Sequence, residues 1–493
     1  MDTHTETILL IISILFLVSL FVSKAGSRFG VPVLLLFLGV GMFFGSSGIG
    51  IPFNNYAIAQ TIGTTALCLI LFSGGLDTSY KDIKPVVAQG IMLATLGVFL
   101  TALFTGIFIY YAVNALFSSL SISFLEAMLL ASVMSSTDSA SVFSIVRGKG
   151  VKLKNNLKPM LELESGSNDP MAYMLTIVLI QLITSEQQDA AYGQAVLSFF
   201  MQFVVGIIAG FLLGKIAVWL INKIKLDNDS LYPVLLCACG IFIFSVTDLM
   251  QGNGFLAVYL AGLIIGNSTF SHRRLSLRFF DGLAWISQIA LFLILGLLVN
   301  PDGFWSVALV SLLIGTFMIV AARPLAVFAS LLPFRKMPVR DKTFVSWVGL
   351  KGAVPILFAI FPFVAGLEQE TALFIFNVVF FITLMSLMIQ GTSLAQAAKI
   401  LHLSDENNKA KVKTFDIGHE DGVKHIMKEI EITDEWLKNG NLLKHISLPE
   451  HTHVMMIKRE DGRYLAPNED TVLTKNDKLM IITTNTDNID SLS

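Results

Sequence analysis

Ser135-Ser136-Thr137-Asp138-Ser139 and Glu162-Leu163-Glu164-Ser165-Gly166-Ser167-Asn168-Asp169 interrupt two apolar runs, each long enough to cross a bilayer. One ionised carboxylate in the middle of a membrane helix costs about 2.5–3.5 kcal/mol on insertion scales. Several together need a positive reason, and the usual one is a bound cation, a proton or both. The two strings therefore point to membrane helices built to handle small positive ions.

The surrounding composition agrees with a membrane chain. Of 493 residues, 54% are hydrophobic and 14% charged, whereas a soluble protein of this size carries roughly a quarter charged residues. The apolar residues fall in blocks of about 18–28, not in amphipathic stripes, which is the transmembrane pattern. A net charge of −2 says little about partners, and nothing points to nucleic acid. The start, Met1-Asp2-Thr3-His4-Thr5-Glu6-Thr7, lacks the basic region of a signal peptide, so the following run, Ile8 to Ser23, reads as a retained first helix. Cys68, Cys237 and Cys239 lie in apolar segments. The Cys-x-Cys pair allows a metal, but core packing is the better reading of such thiols.

Thirteen spans are expected, over 7–23, 31–45, 57–74, 86–113, 124–146, 159–184, 193–221, 231–248, 254–268, 281–299, 304–332, 343–365 and 371–398. The loops between them separate by charge. Alternate loops carry Lys24, Arg28, Lys81, Lys84, Arg147, Lys149, Lys152, Lys154, Lys158, Lys223, Lys225, Arg273, Arg274, Arg278, Arg335, Lys336, Arg340 and Lys342, and the loops between those contain no Lys or Arg. The positive-inside rule then puts the N-terminus outside and the C-terminus in the cytoplasm. Lys215, Arg323 and Lys351 are left within spans. Lys215 is near enough to a helix end to snorkel, while Arg323 and Lys351 lie deeper and need partners.

Hydroxyl groups in the span 124–146 can bond backbone carbonyls and weaken the helix locally. An unwound segment at that depth is tolerated where it lines a cavity, and its carbonyls can then coordinate a cation. Ser135 or Ser141 would fit a helix–helix contact equally well. Asp138 would not. In the next span Ser165 and Asp169 share a face, with Glu162 nearly in line two turns nearer the cytoplasm. Glu164 and Asn168 form a second pair about 100° around. One face thus offers Ser165 and Asp169 to an ion, with Glu162 a candidate for the cytoplasmic approach. Glu164 must be neutralised elsewhere, and Arg323 in Ala322-Arg323-Pro324 is the candidate for a structural ion pair.

Gly349-Leu350-Lys351-Gly352-Ala353-Val354-Pro355 suggests a second broken helix. The two broken spans are each fifth in a block of six, spans 1–6 and 8–13, and the blocks enter the membrane from opposite sides. Inverted repeats with one discontinuous helix apiece point to a secondary transporter site. Lys351 reads better as an offset to the dipole ends of broken helices than as a substrate contact.

Thr137-Asp138, Glu164-Ser165-Gly166-Ser167-Asn168-Asp169, Ala322-Arg323-Pro324 and Gly349-Leu350-Lys351-Gly352-Ala353-Val354 together resemble the monovalent cation:proton antiporters of the NhaP type. The resemblance spans the membrane region. It implies that Asp169 carries proton and cation in turn, that Thr137, Asp138 and Ser165 help coordinate the ion, and that Glu164 pairs with Arg323. Asn168 stands where electrogenic relatives have a second aspartate, which implies electroneutral exchange. Lysine at 351 departs from the arginine of many sodium-specific members. Physically, a proton and a cation competing for one alternating carboxylate give coupled exchange without separate gates.

Composition changes after Lys399. The expected organisation is a membrane exchanger domain over 1–400, a charged linker over 401–420 and a small cytoplasmic α/β domain over 421–493. The last resembles the C-terminal subdomain of potassium-conductance regulators, the RCK_C type. That resemblance implies a homodimer and a nucleotide or ion effector. His445 and His453 could touch such a ligand, although solvated surface histidines are the simpler reading, no Gly-rich phosphate loop is visible, and a purely structural tail is the other alternative. Membrane core and tail together resemble the cell-volume-regulation potassium/proton antiporters of bacteria, so K⁺ is preferred over Na⁺ and the inner membrane is the expected location. No cofactor is implied, nor any metal beyond the transported ion. A channel would need a selectivity filter such as Thr-Val-Gly-Tyr-Gly, a non-transporting sensor would not need mirrored broken helices, and no nucleophile–base pair suggests an enzyme.

Overall fold

In a computed structural model, the described residues are 5–29, 32–46, 48–51, 53–117, 121–138, 142, 153–185, 188–299, 303–404, 414–418, 424–432, 436, 440–446, 452–459, 463–475 and 477–483. Ser139, Ser141 and the basic residues Arg147, Lys149 and Lys152 lie outside them. The chain divides into two compact units, Met1–Ser404 and Asp405–Ser493.

The first unit is helical: α1 Thr5–Phe29, α2 Val33–Phe44, α3 Tyr56–Asp77, α4 Tyr80–Leu116, α5 Phe124–Val133, α6 Leu157–Thr184 and α7 Gln188–Lys223. There follow α8 Leu231–Leu249, α9 Gly254–Gly266, α10 Arg273–Leu297, α11 Ser306–Ser330, α12 Val339–Trp347, α13 Ala353–Val364 and α14 Gln369–Ile400. Among the described residues eight helices are long and apolar enough to cross a membrane, and α2, α5, α9 and α13 are shorter apolar helices. The 28-residue α6 is outside both sets because the polar string at its centre dilutes its apolar character. Helices α1 and α7 turn large apolar side chains outward, with Phe21 72% and Phe200 59% exposed. Such surfaces suit lipid and would be costly in water.

Two long helices widen into π turns, at Leu93–Gly97 in α4 and Met318–Ala322 in α11. The second ends at Arg323-Pro324, where proline supplies no N–H and its ring crowds the preceding turn. Helices α3 and α9 cross with their backbones in contact. A Cβ on Gly75 would meet the Tyr259 carbonyl oxygen at 2.4 Å, and one on Gly262 would meet that of Phe72 at 2.5 Å.

The second unit contains β1 Thr414–Gly418, β2 Lys424–Glu431, β3 Thr452–Lys458, β4 Tyr464–Leu465 and β5 Lys478–Thr483, all paired antiparallel in the order β1-β2-β5-β3-β4. Ile432, Ile446, Ile457, Leu473, Leu479 and Ile481 form its core. Arg459 pairs with the buried Asp477, whose carboxylate also accepts the Thr474 N–H. Strand β1 lies within 401–420, the stretch read above as a linker. Among the described residues of this unit the helical turn is Leu443–His445.

Candidate functional site

Helix α5 starts on a capping box, with Ser123 and Glu126 satisfying each other's backbone N–H groups. It stops at Val133, and the described chain runs on without helix from Met134 through Asp138. Ser135 Oγ turns back to donate to the Ser132 carbonyl at 2.7 Å, the competition for backbone groups that loosens a helix. A second interruption separates α12 from α13 over 348–352. Two of the backbone groups it frees are satisfied by α14. The Lys351 N–H donates to Ser386 Oγ at 2.9 Å, Ser386 donates to Gln390 Oε1, and Gln390 Nε2 donates to the Trp347 carbonyl at 2.9 Å.

The two interruptions meet. The Asp138 N–H donates to the Leu350 carbonyl at 2.8 Å, and Lys351 Nζ donates to the Ser136 carbonyl at 2.8 Å. Lys351 is 3% exposed, so its ammonium lies on the freed carbonyl end of α5, where a cation is favoured. A Cβ on Gly352 would fall 2.3 Å from Asp138 Oδ2 and 2.8 Å from Asp138 Cβ. Only glycine leaves that side chain its place.

Helix α6 is stitched to the first interruption along one side. Ser136 Oγ donates to Asp169 Oδ1, Ser165 Oγ donates to the Thr137 carbonyl at 3.0 Å, and Asn168 Nδ2 donates to the Thr137 carbonyl and hydroxyl oxygens. Around the helix, Arg323 Nη2 donates to Glu164 Oε1, both residues being buried. Glu164 Oε2 and Arg323 Nε and Nη1 have no hydrogen-bond partner among the described residues, so this is a one-point pair and not a bidentate fork.

A cavity of about 370 Å³ reaches Asp138, Ser165 and Asp169. Asp169 is buried at its base, while the exposed Asp77 and Asp281 and the half-buried Glu162 line its outer part. Glu162 also lies 3.4 Å from Lys158. Thr137 and Asn168 bond to each other and do not line the cavity. Gly166 does line it, and Pro170, four residues on, has no N–H to offer the Gly166 carbonyl. One turn beyond Asp169, the ring of Tyr173 packs on Phe255, Phe358 and Phe361 at centroid distances of 5.0, 5.8 and 5.7 Å. A second cavity, about 560 Å³, lies past that cluster between Tyr173, Gln202 and Asp248. The carboxylates at 138 and 169 are thus reached by the first cavity and not the second. Hydroxyl, carbonyl and carboxylate oxygens gathered at such a cavity suit a hard monovalent cation. Among the described residues no group of three His, Cys, Asp or Glu could hold a metal ion.

Residues 12–400 match the family of transmembrane sodium/hydrogen exchangers. The chain belongs to the sodium/hydrogen exchanger family. This exchanger is 37% identical over 480 residues to a K⁺/H⁺ antiporter NhaP of Alkalimonas amylolytica, covering 96% of the chain and 80% of the relative. It is 35% identical over 474 residues to a K⁺/H⁺ antiporter NhaP2 of Shewanella sp. strain ANA-3, with the same two coverages. The fold is that of the sodium proton antiporter MjNhaP1 of Methanocaldococcus jannaschii, with a TM-score of 0.67 and 20% identity over 80% of this chain and 99% of that one. The exchanger is accordingly a multi-pass monovalent cation/proton antiporter and not an enzyme.

Of the residues singled out from the exchanger's sequence, Asp138, Ser165, Asp169 and Glu162 share the cavity, Thr137 and Asn168 stand behind it, Glu164 and Arg323 pair, and Lys351 joins the two interruptions. Four contributors escaped that reading. Ser136 holds Asp169, Tyr259 walls the cavity, and Ser386 and Gln390 satisfy the second interruption. Ser136 was already inside the polar string, and the i, i+4 spacing of Ser386 and Gln390 was a visible polar pair in an apolar helix. Tyr259 carried no such signal, because one tyrosine in an apolar run reads as core.

Proposed function

We propose that this exchanger moves K⁺ against H⁺ at the single carboxylate of Asp169, by alternating access and with one proton exchanged per cation. The observation that carries the reading is the position of Asp169: buried at the base of the cavity, bonded to Ser136, with Asp138 and Ser165 beside it. A carboxylate there binds a proton or a cation but not both, and competition alone couples the two fluxes. Asp138 and Ser165 complete the oxygen shell. Thr137 and Asn168 hold the unwound string against α6, and a neutral amide at 168 leaves one titrating group where two would carry net charge.

In this reading Glu164 and Arg323 brace two helices, Lys351 offsets the dipole of α5, and Glu162 draws cations into the cavity. The aromatic cluster around Tyr173 seals the far side, so the conformation is open toward the basic-loop end of the helices. The alternation of loop charge supports thirteen spans with the N-terminus outside and the second unit in the cytoplasm of a bacterial inner membrane. The second unit is read as a regulatory domain that pairs two copies and takes a nucleotide or ion effector. Preference for K⁺ rests on relatives at 35–37% identity that bear K⁺/H⁺ antiporter names. A Na⁺/H⁺ reading is favoured instead by the 26% identical probable Na⁺/H⁺ antiporter 2 of Methanocaldococcus jannaschii.

The test is cation-driven proton flux through full-length protein in proteoliposomes, with K⁺, Na⁺, Rb⁺ and Li⁺ added in turn. The largest response should come with K⁺ and should not depend on an imposed membrane potential. Flux driven by Na⁺ alone would move the substrate to sodium, and a steep voltage dependence would rule out one-for-one exchange.

A further inference from the structure

Tyr259 is 2% exposed, yet it lines the cavity that holds Asp138, Glu162, Ser165 and Asp169. That hydroxyl has no hydrogen-bond partner among the described residues. The hydroxyls of Thr78 and Ser167 are its polar neighbours. Buried tyrosine hydroxyls are normally bonded, and leaving one without a partner is destabilising. An oxygen kept unpaired beside a path for cations is a candidate ligand for what moves along it.

The ring is held firmly in place. A Cβ on Gly166 would fall 2.3 Å from Tyr259 Cε2, 2.5 Å from Cζ and 2.8 Å from the hydroxyl, so the phenol lies flat on α6 where that helix has no side chain. Gly166 is one turn past Glu162 and just under one turn before Asp169, which puts the phenol between the acidic outer part and the carboxylate site. From behind, the Tyr259 carbonyl packs on Gly75 of α3, and Asn253, which caps α9, donates to the Pro170 carbonyl at 2.8 Å. Helix α9 is therefore tied to α6 on both sides of Asp169. The Gly166 carbonyl, without an N–H from Pro170, is a second oxygen at the same level.

We propose that Tyr259 is a specificity-determining residue of the ion path, its hydroxyl replacing a water on the monovalent cation as that cation passes from Glu162 to Asp169. The proposal rests on the reading of Asp169 as the exchanging carboxylate. A cation that meets a fixed oxygen there exchanges one of its waters for it, and the fixed position rewards the ion whose radius fits the distance. The phenol would act on affinity and on the choice among cations, leaving the alternation of the site to other groups.

The decisive variant is Tyr259→Phe, which keeps the ring on Gly166 and removes only the oxygen. Full-length wild-type, Tyr259→Phe, Tyr259→Gln and Asp169→Asn proteins are compared in proteoliposomes for flux against concentration of K⁺, Rb⁺, Na⁺ and Li⁺. The expected result is an apparent KM raised about 3- to 10-fold, the size of one neutral polar contact, with maximal rate within about two-fold and a changed KM ratio between K⁺ and Na⁺. Tyr259→Gln, which returns an oxygen of similar reach, should recover part of the affinity. Unchanged KM values and ratios in Tyr259→Phe overturn the proposal, and so does a lower maximal rate with KM unchanged, which a purely structural role would produce. Should Tyr259→Phe fail to reach the membrane folded, Tyr259→Met, which also lacks the oxygen, takes its place: a raised KM with a changed K⁺/Na⁺ ratio is expected, and unchanged KM values and ratios overturn the proposal. Asp169→Asn retaining full flux would overturn the reading of the carboxylate itself, an outcome separate from any result at Tyr259.

Discussion

The two interruptions, Met134 to Asp138 after α5 and 348–352 between α12 and α13, solve one problem in opposite ways. The first is rich in hydroxyls and carries a carboxylate; its own Ser135 occupies one freed carbonyl, Ser165 and Asn168 of α6 donate to the Thr137 carbonyl, and Ser136 bonds Asp169. The second is rich in glycine, carries an ammonium, and borrows its partners from Ser386 and Gln390 of α14. Each also completes the other, with Asp138 N–H on Leu350 and Lys351 on Ser136. The difference teaches that one break is made to face an ion and the other to hold the first in shape. Irregular backbone persists at this depth only when every polar group has a protein partner or a wet cavity.

The strongest way to break the comparison is Asp169→Asn, which keeps the shape of the group that faces the first interruption and removes its charge. Cation-driven proton flux in proteoliposomes should fall to the background of empty vesicles, with no counterpart of this loss in any single change at the second interruption that leaves Asp138 in place.

Next in size is Arg323→Met. It leaves Glu164 buried and unpaired, which is expected to cost about 3–5 kcal/mol and should lower the thermal midpoint of the protein in detergent. The double variant with Glu164→Gln should regain most of that loss, because what is removed is an uncompensated charge. If the double variant melts as low as the single one, the brace is more than an ion pair.

A smaller effect is expected from Gly352→Ala. Its methyl group would displace Asp138 and cost about 1–3 kcal/mol as an overpacked contact, and flux should fall more than stability because the displaced group belongs to the site. Gly349→Ala is the control. Its Cβ would approach Arg323 Nε at 3.1 Å, and a side chain that long can give way, so flux should fall less. Equal losses in the two variants would mean that the second interruption is not shaped around Asp138.

Ser386→Ala should be the mildest. Removing the acceptor of the Lys351 N–H costs about 1 kcal/mol, visible as a small drop in thermal midpoint with KM for the cation unchanged. A raised KM would show that the second interruption also reaches the ion.

Much of this was legible in the residues because membrane insertion makes polar groups conspicuous. Asp138, Glu164, Asp169, Arg323 and Lys351 each stand against an apolar background, and α-helical spacing separates Glu164 from Asp169 by face without any coordinates. The pairing of Glu164 with Arg323, 159 residues apart, could be put forward since few other buried charges were left to meet. Tyr259 was not legible, because a lone hydroxyl in an apolar run looks the same whether it faces a core, a lipid or an ion path, and what the visible Ser386–Gln390 pair bonds to was a tertiary matter. The sheet of the second unit was legible as alternating runs in β3 and β5, while β1 was hidden in a charged stretch whose pairing with β2 is a tertiary matter.

By itself the sequence determined that this chain lives in a bilayer and handles cations there, since hydropathy and buried charge are properties of residues and their cost is local. Only the tertiary structure decided which of the polar groups share a cavity, which brace helices, and how two broken segments far apart in the chain complete each other. Those are matters of distance between elements, and the energy of a buried charge or an open backbone group is set by what stands within about 3 Å of it.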